Sequence, residues 1–244
     1  MQDQEPGLGF HGDVATLTLR RPSQHNRIAP EDCTVISGHL RQVAAREDIR
    51  ALVVTGTGEK TFSSGYTLGA IKDQLDGRFE DMLDELEQFP LPTICAMNGS
   101  VYGGATDLAL CCDFRVGVTG SRFLMPASRI GLHYYPGGIR RYVTVLGLAA
   151  SKKLFLTAQT IHDQEMLRIG FLHELVGRDA LDDAVGRYLD GIRACEPAVL
   201  KSVKADLMAV AEGRYDEPLL RSHYEASLRS DALAARLAAI TAKG

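Results

Sequence analysis

VATLTL, from Val14 to Leu19, alternates apolar and polar side chains, the period of a strand buried on one face. Val35, Ile36, Leu40 and Val43 recur at helical spacing over residues 30 to about 46, with Pro30 and Glu31 as a helix start. Four further stretches read as strands: ALVVT (51–55), TICAM (93–97), FRVGV (114–118) and FLHELV (171–176). Residues 122–125 read as short and extended. Helical patterns cover 78–89, which Pro90 and Pro92 end, then 139–146 and 163–169. From Leu181 the chain reads as helix throughout: 181–194, 198–212 and 217–241, broken near Pro197 and Gly213. The pattern predicts an α/β core over residues 1–178 and a helical region over 179–244. Long, alanine-rich amphipathic helices of this kind suit packing on a partner subunit.

Composition narrows the class. The 244 residues are 45% hydrophobic and 24% charged, with a net charge of −4 and no long basic block. Neither nucleic acid nor a membrane is expected as partner. A chain of this length buries about 70–75% of its unfolded surface and needs no disulfide staple. Its five cysteines, Cys33, Cys95, Cys111, Cys112 and Cys195, form no C-x-x-C pair and read as free thiols in a reducing compartment. MQDQEPGLGFHGD has neither a basic n-region nor an apolar h-region, and no window approaches the roughly 18 apolar residues of a membrane span. A cytoplasmic protein is expected.

Three stretches carry candidate chemistry. In GSVYGGATDLALCCD (99–113) a loop over 99–102 turns the chain after a strand, and a helix begins near Gly103–Ala105. Glycines there allow close approach of another molecule, and first-turn N–H groups are unpaired. An oxyanion site and a tight helix–strand turn both fit. Asp107, in the first turn, suits the helix dipole or proton transfer beside such a site. TFSSGYTL (61–68), centred on Gly65, could supply a second N–H or be an ordinary small-residue loop. GLHYYPGGIRR (131–141) places a histidine and two tyrosines where they could line a pocket or decorate a loop. GTGEKT lacks the order and spacing of a phosphate-binding loop, and the seven histidines show no metal spacing, so no metal is expected.

LRRPSQHNR, ALVVTGTGEKTFSSGYTL, LPTICAMNGSVYGGATDLALCCDFRVGV and SRFLMPASRIGLHYYPGGIRRYVTVLG, in that order, resemble the crotonase (enoyl-CoA hydratase/isomerase) family over about residues 12–177. The resemblance implies an α/β spiral of ββα units with a helical C-terminal trimerisation region, assembled as a homotrimer or hexamer. It implies an acyl-CoA substrate and no permanently bound cofactor. Two backbone N–H groups would polarise the thioester carbonyl; by motif position they belong to Tyr66 and Gly104. His25, Asn26, Arg27, Ile28, Ser64, Gly65, Tyr66, Leu68, Gly103 and Gly104 match the stretches that hold the CoA.

The departures bear on the reaction. Typical hydratases carry GGGxE at the helix start and PE after the next short strand, and the two glutamates share one water. Here those positions hold Asp107 and Ala127, and the third glycine is Ala105. A third family carboxylate position falls near Tyr135. The methylmalonyl-CoA decarboxylases of the family look closer, with GSVWGGAFE and a tyrosine that matches Tyr134, although Tyr66 stands where they have histidine. Asp107 is therefore expected to handle the proton and Tyr134 to orient the acyl end, in decarboxylation or isomerisation more than hydration. A catalytically degenerate acyl-CoA binder is one alternative. Hydrolysis or C–C cleavage by a water activated at His133 or Asp107 is another.

Overall fold

Three successive segments of the chain repeat one pattern: a strand in a large sheet, a short strand in a second sheet, then a helix. The computed structural model describes residues 3–242; Met1, Gln2, Lys243 and Gly244, the ends of the two regions expected from sequence, lie outside them. Before the repeats come β1 (Gly7–His11), β2 (Val14–Leu19) and α1 (Pro30–Ala44). The first repeat holds β3 (Ala51–Gly56), β4 (Thr61–Ser63), the short α2 (Ile71–Gln74) and α3 (Gly77–Glu87). The second holds β5 (Thr93–Met97), β6 (Ser100–Tyr102) and α4 (Gly104–Leu110), and the third β7 (Phe114–Val118), β8 (Arg122–Leu124) and α5 (Pro136–Thr157). Then follow β9 (Ile161–His162), α6 (Asp163–Arg168), β10 (Glu174–Val176) and α7 (Leu181–Ala194).

The large sheet has the order β1-β2-β3-β5-β7-β10, and the small one β4-β6-β8-β9. From β2 to β10 every neighbouring pair in the large sheet is parallel, so β3 and β5 are buried on both faces and read as apolar runs. α4 lies inside the fold, buried from Ala105 to Leu110. That explains why ATDLAL is apolar all round except at Thr106 and Asp107.

The expected strands and helices recur with small shifts. The loop expected at 99–102 is instead a strand, β6, which pairs with β4 and β8. Three-residue strands are too short to show a period. β1 pairs antiparallel with β2 around Gly12 and Asp13; GLGFH, with two glycines and an exposed face, shows no alternation. The expected strand 171–176 shortens to β10, while Phe171 and Leu172 enter the core ahead of it. α5 extends beyond 139–146, and its backbone leaves helical geometry at Gly147 (φ 77°).

The chain divides into two compact units, Met1–Ile192 and Arg193–Gly244, not at residue 178. Most of α7 falls in the first unit: Leu181, Ala184, Val185 and Ile192 are buried, and Tyr188 packs on Phe114 with ring centroids 5.0 Å apart. The second unit contains α8 (Pro197–Ala211), α9 (Glu217–Leu228) and α10 (Asp231–Thr241). The single helix expected over 217–241 is two, because Ser230 caps α10 by accepting the Leu233 N–H at 3.2 Å. Among the described residues no helix is long and apolar enough to cross a membrane.

Candidate active site

A cavity of about 640 Å³ opens in the first unit, and its walls come from the expected stretches. Ser64, Tyr66 and Leu68 line it from the first repeat, Tyr102, Gly103 and Gly104 from the second, and Ala127, His133, Tyr134 and Tyr135 from the third. α3 adds Phe79 and Glu80.

Gly65 (φ 81°) turns the chain after β4. Its own N–H donates to Ser63 Oγ at 3.1 Å. Ile28 then bridges to Tyr66: the Ile28 N–H donates to the Gly65 carbonyl at 2.8 Å, and the Thr67 N–H donates to the Ile28 carbonyl at 2.9 Å. A residue bridged in this way turns its own N–H to the opposite side. The Tyr66 N–H has no backbone acceptor among the described residues. Gly104 is the first residue of α4, so its N–H has no intrahelical acceptor either.

These two main-chain segments touch. A Cβ on Gly65 would stand 2.6 Å from the Tyr102 carbonyl oxygen and 2.7 Å from the Gly104 nitrogen. Gly103 adopts φ 53°, ψ −131°, a conformation that L side chains rarely take. A Cβ on Gly104 would lie 2.6 Å from Phe79 Cζ. The glycines thus bring two free donors together at the cavity wall.

The other expected binding residues divide. Ser64, Leu68 and Gly103 line the cavity; Gly65, His25, Asn26, Arg27 and Ile28 do not. Asn26 is buried and ties the loop together, donating to the Thr57 and Thr61 carbonyls at 2.8 and 3.0 Å. Ile28 is wholly buried and acts through the bridge that orients Tyr66. His25 is exposed, with Nδ1 3.1 Å from Thr61 Oγ1, and half-buried Arg27 donates to Thr67 Oγ1 at 2.7 Å.

Asp107 does not line the cavity. Its side chain is fully buried and accepts two bonds from Arg141, Nε to Oδ1 at 2.9 Å and Nη2 to Oδ2 at 3.1 Å. The Tyr135 hydroxyl donates to Oδ2 as well, so Tyr135 stands between this carboxylate and the cavity. The reason is local: Gly138, in the first turn of α5, leaves room where a Cβ would lie 2.9 Å from Asp107 Oδ2 and 2.7 Å from Tyr134 Cδ1. Arg141 reaches Asp107 from one turn later and also binds Asp84 at 2.7 Å and Glu87 at 2.9 Å. Arg140 adds a bidentate bond to Glu87. The run GGIRR therefore builds a charged cluster behind the tyrosines.

Tyr134 lies with its hydroxyl 3.3 Å from that of Tyr135. Burial, and then the charge of Asp107, push both phenols well above the ordinary tyrosine range. Both are neutral O–H groups at physiological pH. Ala127 lines the cavity as an apolar surface. Sequence reasoning missed Glu80, which lines the cavity from α3 and accepts the Gly137 N–H on Oε1 at 3.1 Å. FEDMLDELE holds five acidic side chains in nine residues, and nothing in that run marks which one faces inward.

Two main-chain N–H groups without an acceptor among the described residues thus stand beside one cavity, carried on a spiral of ββα units. The family model described as enoyl-CoA hydratase/isomerase matches residues 9–228. The chain belongs to that family and is an acyl-CoA-processing enzyme. It is 28% identical over 204 residues to the short-chain-enoyl-CoA hydratase of Clostridium acetobutylicum, covering 81% of this chain and 78% of that one. Over 236 residues it is 28% identical to the carnitinyl-CoA dehydratase of Citrobacter koseri, with 91% and 89% covered. The crystal structure of an enoyl-CoA hydratase from Bacillus anthracis shares the fold at a TM-score of 0.88, with 23% identity and coverage of 98% and 97%.

Proposed function

We propose that the enzyme binds an acyl-CoA with an uncharged acyl group, its thioester oxygen between the Tyr66 and Gly104 N–H groups, forms the enolate there, and shifts a proton along the acyl chain. The pair of unpaired main-chain donors at one cavity wall carries this reading. Oxyanion donors of this kind are worth about 10²–10³ in rate each. Ser64, Leu68 and Gly103, beside the donors, are assigned to the pantetheine arm, and exposed His25 and half-buried Arg27 to the nucleotide.

Isomerisation suits this cavity better than the decarboxylation also considered above. Among the described residues that line it, none is lysine or arginine, so a substrate carboxylate would meet no ammonium or guanidinium there. Hydration through two glutamates sharing a water is disfavoured by Ala127 and by the enclosure of Asp107. That acid is read as a positioning group, acting through Tyr135 on the acyl end.

The test is a mass-spectrometric screen of the purified protein against a panel of acyl-CoAs in deuterium oxide. Deuterium at the carbon next to the thioester is the expected result. Binding without exchange or turnover on any member would favour a degenerate acyl-CoA binder. Gain of water, loss of carbon dioxide or release of free CoA would each replace isomerisation with the corresponding reaction.

A further inference from the structure

The carboxylates around the cavity differ in what they are tied to. Asp84, Glu87 and Asp107 all bind Arg141, and Asp76 takes the Arg78 guanidinium at 2.9 Å. Glu80 has no cationic partner among the described residues. Its Oε1 accepts the Gly137 N–H at 3.1 Å, and its Oε2 carries no hydrogen bond among those residues. It is half-buried and lines the cavity.

Its place in the fold is set by its neighbour. The Phe79 ring packs edge-on against Tyr66 and Tyr135, with centroids 5.2 and 6.1 Å away, and its tip touches Gly104. Phe79 thus spans from the thioester donors to the acyl-end tyrosines, and Glu80 follows it on the same helix. The α5 N-terminus holds one carboxylate oxygen, and the other is free to act. Gly137 permits this contact, since a Cβ there would lie 3.0 Å from Oε1.

We propose that Glu80 is the group that takes and returns the substrate proton, an inference that rests on the enolate reading of the site. In the forward step the C–H bond next to the thioester breaks. The proton passes to the Glu80 carboxylate, and the electron pair enters the enolate held by the Tyr66 and Gly104 N–H groups. In the return step the Glu80 carboxylic acid gives the proton back to that carbon, or to the far carbon of the conjugated enolate when the acyl chain carries a double bond. No other reactant is consumed. An unneutralised carboxylate at this position also selects against acyl groups that carry a carboxylate of their own.

The experiment uses the full chain with butyryl-CoA and 3-butenoyl-CoA in deuterium oxide. Glu80→Gln keeps an acceptor for the Gly137 N–H and removes the base. Deuterium exchange should fall by about 10²–10⁴-fold, with affinity for the esters nearly unchanged. Glu80→Ala should lose exchange to the same degree and regain part of it with added formate. Exchange by Glu80→Gln within a few-fold of wild type would overturn the inference while leaving the enolate reading intact. Loss in Glu80→Ala alone, without formate rescue, would reduce Glu80 to a cap of α5 and also overturn it. No exchange by the wild type on either ester would sink both. Independently of turnover, succinyl-CoA should bind about tenfold more weakly than butyryl-CoA, and the gap should close in Glu80→Gln. A gap that persists counts against Glu80.

Discussion

At the end of the cavity proposed to hold the thioester, Tyr66 and Gly104 offer main-chain N–H groups that glycines bring together. At the end proposed for the acyl group, Tyr134, Tyr135 and Glu80 offer side chains, two of them backed by a charged cluster. A main-chain donor keeps its chemistry whatever side chain it carries, so only a change in backbone path removes it. A side-chain group changes with every substitution and with every partner it acquires. One end can therefore stay constant across a family while the other sets the reaction. Here that end has apolar Ala127, an enclosed Asp107 and a Glu80 with no cationic partner among the described residues.

The comparison can be broken most severely at Arg141, which carries the acyl end. Arg141→Leu leaves Asp107 and Glu87 without the guanidinium that now binds both. Loss of one partner of a buried ion pair costs about 3–5 kcal/mol, and urea denaturation should show a loss of that size. A loss under about 1 kcal/mol would mean that the cluster does not support this wall.

Next comes the thioester end. Gly65→Ala puts a Cβ against the Tyr102 carbonyl and the Gly104 nitrogen at a φ of 81°. Moving these donors apart should lower deuterium exchange next to the thioester by about 10²–10³-fold. Unchanged exchange would remove this pair from the chemistry.

A smaller effect is expected at Tyr135. Tyr135→Phe removes one hydrogen bond to Asp107 and leaves the two from Arg141. Thermal or chemical denaturation should register about 1–3 kcal/mol. A fall in turnover with a steady KM would place the hydroxyl in the reaction step; a change in KM alone would make it a wall.

The smallest effects are expected from what the cavity does not use. Ala127→Glu puts a glutamate back at a hydratase position, yet no water addition to crotonyl-CoA should follow, because the second carboxylate lies behind Tyr135. Water addition by this variant would show that Asp107 reaches the substrate. Since burial and Asp107 push both phenols up, no rate limb from Tyr134 or Tyr135 should develop below about pH 10. Loss of a basic limb in Tyr134→Phe would contradict that.

Local sequence was enough to place the periodic elements and the glycines of the two loops. β2, α1, β3, β5 and β7 lie where alternation and apolar runs predict them, because the side chains that form such elements also pack them. The Gly65 and Gly103–Gly104 sites were legible for a similar reason: close approach of two backbones demands the absence of a Cβ on each. The three-residue strands of the small sheet and the Ser230 break were not legible, since a single turn or pair holds too few positions for a period. Tertiary structure alone decided the roles of the charges. Whether an acid is a reactant or a strut depends on which partner reaches it, and Asp107 met Arg141 from a helix more than thirty residues away, while Glu80, among four other acids on α3, met only a backbone N–H among the described residues. Ion pairing and exposure are properties of the packed molecule, and no local pattern encodes them.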